Sequence, residues 1–401
     1  MKICGLDVAA GYLVACPLSD SHVHTDVREL YYSIDFQTFP ATSVGMQKLL
    51  ALSPDVAVME PTGVNYSRLW VFHLQRAGVR VFQVGHKELR RFRENLDLPD
   101  KDDPADALAL ALYFQQHQGI AKRFIRTRDP DVLRIRELSL RIEHGNREQS
   151  PLINRIRQDL HWQFPEAADI SLPNNATLFW AWLAGLRESK RWDKIYAASI
   201  GIGISSIIRE DAKRLLDIQE REQRFDAELR LLLAAEKFDP YNEVFDRFGF
   251  GLRIRSAILA QIYPLQDFLD DDGNPAIVVR KGKVSGKPTK RHLSLRRFRK
   301  ILGIAPTREQ SGTSVKKSKK AGSALCRKVF WQWVFTAVEV RKRRTTPILQ
   351  ELGAHLDEEK ANHMPVQKAR ARVAAKACVR LFYELLNAVQ SGQSSPAEES
   401  N

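Results

Sequence analysis

Cysteine is scarce in this 401-residue chain: there are four, Cys4, Cys16, Cys326 and Cys378, with no Cys-x-x-Cys pair among them. That spacing supports neither a cysteine-based zinc cluster nor a disulfide framework, so a reducing, cytoplasmic setting is expected. Long apolar runs are missing too. No stretch reaches the roughly 18 residues that a membrane-spanning helix needs, and no membrane association is expected. Residues 2–16 have the outline of a lipoprotein signal, with Lys2 ahead of an apolar stretch ending at Cys16, but Asp7 sits inside its would-be apolar core, where a charge is costly. Acidic residues are the minority charge: 48 Asp and Glu stand against 62 Lys and Arg, a net +14. With 44% hydrophobic and 27% charged residues, the composition is that of a folded protein of two or three domains, which excludes wholesale disorder and a collagen-like chain.

The positive excess is confined to one segment. Arg280–Arg344 holds 21 lysines and arginines against only Glu309 and Glu339, a net +19, which leaves −5 for the remainder. A block so charged repels itself unless a polyanion neutralises it, and nucleic acid is the expected partner. Phe298, Phe330, Trp331, Trp333 and Phe335 are interleaved with the charge and offer either packing or base-stacking surfaces.

Residues 1–125 read as an α/β domain. Lys2–Asp7 and Tyr12–Leu18 form a strand pair about the Ala10-Gly11 turn, Glu29–Phe36 is expected as a third strand, and Asp55–Met59 and Val79–Val84 suit buried strands separated by the amphipathic Tyr66–Ala77. Residues 126–240 read as helical. Ile135, Leu138, Ile142, Leu152, Ile156 and Leu160 mark one stripe, which Gly145 and Pro151 should interrupt or bend. Ile208, Leu215, Ile218, Phe225, Leu229 and Leu232 keep a heptad-like register, which fits a coiled-coil dimerisation arm or two antiparallel helices of one chain. Residues 241–345 form a third, mainly helical unit, followed by helices within 346–390 and a polar tail, 391–401, expected to be disordered.

Four carboxylates stand out in the first domain. Asp7 lies within an apolar strand, where a charge is expensive unless something binds it. Glu60 follows the apolar run Val56-Ala57-Val58-Met59 and opens Glu60-Pro61-Thr62-Gly63, at a strand end where open α/β sheets place ligands. Asp103 and Asp106, in Lys101-Asp102-Asp103-Pro104-Ala105-Asp106-Ala107, share one face of a helix. Each also has a plain structural reading: Asp103 as the cap before Pro104, Asp106 at the positive helix end, Glu60 in a turn, Asp7 paired with a lysine. The order of strand Asp, strand-end Glu and helical Asp-x-x-Asp suits two divalent cations in phosphodiester cleavage, and hard oxygen donors favour Mg²⁺ or Mn²⁺ over zinc.

These motifs, with Gly5-Leu6-Asp7-Val8 and Gly78-Val79-Arg80-Val81, resemble those of the DEDD-type insertion-sequence transposases. The resemblance implies an RNase H-like, RuvC-like first domain with Asp7, Glu60, Asp103 and Asp106 as metal ligands. Asp102 stands where the family often has threonine, so the third ligand is Asp102 or Asp103.

Further along, Gly249-Phe250-Gly251 before a helical stretch is the turn of a helix-hairpin-helix-like element, while Gly201-Ile202-Gly203 reads as a tight helix–helix turn. Residues 270–292, from Asp270-Asp271-Asp272-Gly273 into a Lys/Gly/Ser-rich stretch, read as a mobile, basic, nucleic-acid-binding insertion. Leu302-Gly303-Ile304-Ala305-Pro306 leads to Glu309-Gln310-Ser311-Gly312 and the cluster Lys316, Lys317, Lys319 and Lys320. Ser311-Gly312 is an ordinary turn dipeptide, but a serine among so many cations suits attack on a phosphodiester. The resemblance extends to this second domain and implies a catalytic serine at Ser311, with Ser314, Ser318 and Ser323 less favoured.

Expected nucleic-acid contacts are Lys290, Arg291, Arg296, Arg297, Lys316, Lys317, Lys319, Lys320 and Arg327. The family resemblance implies cleavage and rejoining of double-stranded DNA through a phosphoserine, guided by a structured noncoding RNA, in a homodimer or homotetramer whose serine and carboxylates meet between protomers, on the nucleoid in the cytoplasm. The alternatives are a metal-dependent junction resolvase or nuclease, a DNA invertase of the same family, and a non-catalytic nucleic-acid-binding protein.

Overall fold

The computed structural model describes residues 1–19, 26–63, 65–96, 98, 102–120, 123–125, 129–168, 177–282, 286–305, 307–311, 314–318 and 321–393. The chain divides into two compact units, Met1–Arg128 and Asp129–Asn401.

Unit 1 runs β1 (Ile3–Val8), β2 (Tyr12–Leu18), α1 (Val27–Ser33), β3 (Gln37–Pro40), α2 (Ser43–Ala51), β4 (Val56–Met59), α3 (Tyr66–Arg76), β5 (Arg80–Gln83), α4 (His86–Asn95) and α5 (Asp103–His117). The strands form one mixed sheet in the order β3-β2-β1-β4-β5. β2 is antiparallel to both β1 and β3, whereas β1, β4 and β5 are parallel. Gly11 turns β1 into β2 with φ of 90°, a left-handed conformation that suits glycine. Every residue of β4 is buried, as befits a strand covered on both faces. Alternation along β1 separates two cores: Cys4, Leu6 and Val8 pack with Leu49, Trp70 and Leu74 from α2 and α3, while Ile3 packs with Leu30, Leu89 and Leu108 from α1, α4 and α5.

The third strand is not where the β-prone run Glu29–Phe36 placed it. Asp26 caps a helix there, its side chain accepting from the Arg28 and Glu29 amides, and the strand starts only at Gln37. Local capping outweighed β propensity, because α1 buries Leu30 against the sheet.

Unit 2 contains α6 (Pro130–Gln163), α7 (Pro165–Ala168), α8 (Thr177–Leu183), α9 (Lys190–Ala197), α10 (Ser206–Leu233), α11 (Asp239–Arg247), α12 (Leu252–Ile262), the hairpin β6 (Ile277–Lys281) and β7 (Pro288–His292), α13 (Leu293–Ile301), the hairpin β8 (Thr307–Ser311) and β9 (Ser314–Ser318), α14 (Ala324–Trp333) with a π-helical turn at Val334–Val338, α15 (Pro347–Ala361) and α16 (Val366–Gln393). α6 passes through Gly145 and Pro151 as one helix, contrary to the interruption expected there. The reason at Gly145 is tertiary: an added Cβ would stand 3.0 Å from Glu222 Oε1, so the glycine admits that side chain from α10.

The heptad-like stripe of α10 is used within the chain. Arg134 pairs with Glu228, Gln149 with Glu222 and Gln163 with Ser205, so α6 and α10 run antiparallel. Ile208, Leu215 and Ile218 are buried with Ile156, Leu160 and Trp180, and Leu229 with Ile135 and Leu138. Gly201-Ile202-Gly203 is a tight turn against the end of α6, with the Ile202 and Gly203 amides donating to the Trp162 and Gln163 carbonyls. The last helix runs to Gln393, past the expected start of the tail at 391, and the rest of that tail lies outside the described residues. Among the described residues no helix is long and apolar enough to cross a membrane. All four cysteines are buried, and burial pushes the Cys4 thiol up to about 12 and that of Cys326 to about 11.

One contact sets how closely helix and sheet approach in unit 1. A Cβ on Gly5 would stand 1.9 Å from the Ala107 carbonyl oxygen and 2.7 Å from the Ala111 amide, both α5 backbone. Gly5→Ala should therefore destabilise the protein by about 3 kcal/mol, read as a lowered urea midpoint; an unchanged midpoint would show that α5 can back away from β1.

Candidate active site

Asp7 and Glu60 are neighbours because of strand register. β1 and β4 pair in parallel with Leu6 opposite Met59, so the next step along both strands brings Asp7 beside Glu60 at the sheet's C-terminal edge. Asp7 shares its sheet face with Gly5, which α5 covers at Ala107. Asp106 directly precedes Ala107 on α5 and Asp103 lies one turn before it, so the helix N-terminus lies over the strand end. Its unpaired amides favour negative charge nearby.

Asp102 and Asp103 separate here. Asp102 is the helix cap: one carboxylate oxygen accepts from the Ala105 amide at 2.8 Å and the other from the Tyr31 hydroxyl at 2.6 Å. Asp103 occupies the first helical position instead of capping, and accepts from the Tyr12 hydroxyl at 3.1 Å. It is the Asp103 charge, not that of Asp102, that bears on Asp7. The Asp103 carboxylate also holds the Tyr12 phenol above its ordinary range.

The cluster is under electrostatic strain. Burial first, then the negative charges of Asp103, Asp106 and Glu60, push the Asp7 carboxyl up from 3.8 to about 7. Two side chains of α4 meet this cluster: His86 Nδ1 lies 2.7 Å from Glu60 Oε2, and the Arg93 guanidinium pairs with Asp106. The chemistry of the set, crowded hard oxygen donors with an excess of negative charge around Asp7, fits a divalent cation such as Mg²⁺. Its arrangement is looser, since among the described residues no three His, Cys, Asp or Glu side chains surround one point. Sequence reasoning missed Tyr12, Tyr31, His86 and Arg93. For the α4 pair one signal existed: His86 and Arg93 are seven apart, two helical turns, and so share a face.

In unit 2, Ser311 closes a hairpin. β8 and β9 pair with Ser311 opposite Ser314 and Glu309 opposite Lys316, so the serine is the last strand residue before the turn. Gly312, Lys319 and Lys320 lie outside the described residues. The hairpin springs from a narrow neck: Gly322, with φ of 76°, approaches so closely that a Cβ would meet the Lys300 carbonyl oxygen at 1.8 Å and the Gly303 amide at 2.8 Å. Arg327 braces this neck by donating to the Gly303 and Ala321 carbonyls. Ser323 caps α14, accepting from the Cys326 amide at 3.1 Å, and so is already engaged.

The insertion expected at 270–292 contains an antiparallel ribbon, β6–β7. Asp270 begins it with an Asx turn, accepting from the Asp272 and Asn274 amides. Lys290 and Arg291 are exposed on β7, Arg296 is exposed on α13, and Arg297 donates to the Phe268 carbonyl. Phe298, Phe330 and Trp333 are core residues, while Trp331 and Phe335, 37% and 52% exposed, flank the Arg370 guanidinium. Gly249, with φ of 61°, turns α11 into α12, and Gly251 precedes the first turn of α12.

A DEDD-type model described as Transposase matches residues 4–165, and a second, described as Transposase IS116/IS110/IS902 family, matches residues 283–348. No curated protein matches the chain. Among solved structures, T. thermophilus RuvC in complex with Holliday junction substrate is 13% identical, with 31% of this chain and 99% of that one covered and a TM-score of 0.23.

The crowding at Asp7 has a measurable sign. Its folded value of about 7 exceeds the ordinary 3.8, so this group's contribution to stability is full in acid and is lost as pH rises through neutrality. With divalent ions chelated, Asp7→Asn should therefore flatten the fall in melting temperature between acid and alkaline buffer; identical profiles for the two proteins would contradict the crowding.

Proposed function

Since this chain belongs to the DEDD-type insertion-sequence transposases, whose members cleave and transfer DNA strands, we propose that it is a site-specific recombinase using Asp7, Glu60, Asp103, Asp106 and Ser311. The observation that carries the reading is the coupling of Glu60, Asp103 and Asp106 to a half-buried Asp7 at the end of parallel strands. In this reading the sheet of unit 1, antiparallel at β3-β2-β1 and parallel through β4 and β5, is RNase H-like.

The four carboxylates hold Mg²⁺ or Mn²⁺, which when bound orients an attacking oxygen and stabilises a leaving one. Asp102 and Tyr31 fix the start of α5, and Tyr12 orients Asp103. On unit 2, Ser311 Oγ loses its proton and bonds to phosphorus as one P–O bond of the DNA backbone breaks. The departing DNA oxygen gains a proton, and the phosphoserine persists until a DNA hydroxyl displaces the serine. Lys316, Lys317, Lys319 and Lys320 neutralise the phosphates around this step. The ribbon β6–β7 carries Lys290 and Arg291, and a two-stranded ribbon has dimensions that the major groove accepts. Arg296 and Arg297 extend this basic surface, and Arg327 serves it through the hairpin neck. A structured guide RNA shares the surface, and the active species is a homodimer or homotetramer in the cytoplasm, on the nucleoid.

Incubation with DNA carrying the ends of its own element should yield a protein–DNA adduct that survives denaturation, absent with Ser311→Ala. Asp7→Asn and Glu60→Gln should each slow cleavage by roughly 100-fold or more while DNA binding persists. Cleavage by Ser311→Ala without any wild-type adduct would put water in the serine's place and make the protein a nuclease. Replacing Lys290 and Arg291 by glutamine should flatten the salt dependence of duplex binding by about 0.9 in log–log slope per lost phosphate contact; an unaltered slope would remove the ribbon from the interface.

A further inference from the structure

α4 is the element of unit 1 whose placement the carboxylate site does not itself explain. Its inward face reads His86, Leu89 and Arg93, at spacings of three and four. Leu89 is buried in the core beneath the sheet, and Phe92 packs edge-on against Tyr113 of α5 with ring centroids 5.1 Å apart, so the helix is anchored along its middle. The same face therefore delivers a basic side chain at each end. His86, at the first turn, meets Glu60 from the end of β4, and Arg93, at the last turn, meets Asp106 of α5.

The two contacts differ in burial. His86 is 61% exposed, a contact open to solvent, whereas the Arg93 and Asp106 side chains are only 14% and 21% exposed. A guanidinium so enclosed has little water to replace its partner. Asp106 is thus neutralised by the protein itself, and Glu60 is turned toward α4, which accounts for the absence, among the described residues, of three ligating side chains around one point.

From this geometry we infer that α4 is a built-in cationic clamp on the carboxylate site, in which Arg93 occupies Asp106 and must release it before a divalent cation is fully ligated. The inference rests on the proposed role of Asp7, Glu60, Asp103 and Asp106, and makes site loading a competition between an external cation and Arg93. A clamp of this kind keeps the four carboxylates together without metal and raises the cation concentration at which the site fills. The His86–Glu60 contact, being exposed, is the weaker arm.

The test is Mn²⁺ binding to the full chain without DNA, followed by electron paramagnetic resonance of the free ion, for wild type, Arg93→Gln, Arg93→Lys, His86→Gln and Asp7→Asn. Arg93→Gln should bind Mn²⁺ about tenfold more tightly, as expected when one positive charge leaves the vicinity of a cation. Arg93→Lys, which keeps the charge but loses the planar fork, should fall between the two, and His86→Gln should change affinity less than Arg93→Gln does. Thermal unfolding of each variant without metal identifies any that fail to fold, and Arg93→Lys then carries the comparison. If Asp7→Asn abolishes binding but neither Arg93 variant binds more tightly than wild type, the clamp is overturned and the carboxylate site stands. If wild type and Asp7→Asn bind alike, the metal-site reading falls and the clamp falls with it.

Discussion

Like charges drawn to one place are the constraint on which unit 1 depends. Asp7, Glu60, Asp103 and Asp106 come from a strand, a strand end and a helix start, and nothing local favours their meeting. Register and packing force it: β1 and β4 are locked in parallel by their backbone ladder, and Gly5 lets α5 lie against β1 at backbone contact. The repulsion falls on Asp7, the carboxyl that burial and its three neighbours push up to about 7. The surrounding polar contacts are responses to that crowding. The N-terminus of α5 offers partial positive charge, Tyr12 donates to Asp103, and α4 supplies Arg93 and His86.

Unit 2 handles charge in the opposite way. Its basic segment is not a loose run of cations; it is divided among an exposed ribbon, a helix and a second hairpin carrying Ser311. Rigidity comes from beneath. Phe298, Phe330 and Trp333, which sit among the cations in sequence, are fully buried and tie the segment into a core shared with α6, α12 and α16. Beneath the Ser311 hairpin, Gly322 approaches Gly303 at backbone contact and Arg327 donates to the Gly303 carbonyl.

The strands at Ile3–Val8, Tyr12–Leu18 and Val56–Met59 were legible because apolar β-prone runs between turn residues leave few alternatives. The run Glu29–Phe36 was misread because Asp26 caps a helix whose burial of Leu30 depends on a distant sheet. Gly145 and Pro151 were read by intrinsic preference as an interruption or a bend, yet α6 is one continuous helix, with Arg134 and Gln149 tied to its partner α10. The heptad-like stripe of α10 could not choose its partner, since a second copy and the same chain satisfy an apolar face equally; the antiparallel contacts with α6 show it used within the chain. The choice between Asp102 and Asp103 was open for a similar reason. Adjacent carboxylates look alike in a motif, and only the cap geometry sends Asp102 to Ala105 and Tyr31 while Asp103 turns toward Asp7.

Residue order alone was enough to locate the acidic quartet and the basic segment around Ser311, because spacing and net charge are properties of the chain and do not change on folding. Which carboxylate couples to which, and that Arg93 and His86 stand against two of them, was decided only by tertiary structure. Those contacts depend on strand register, on the close approach at Gly5 and on the burial of Leu89, each of which joins residues far apart in sequence.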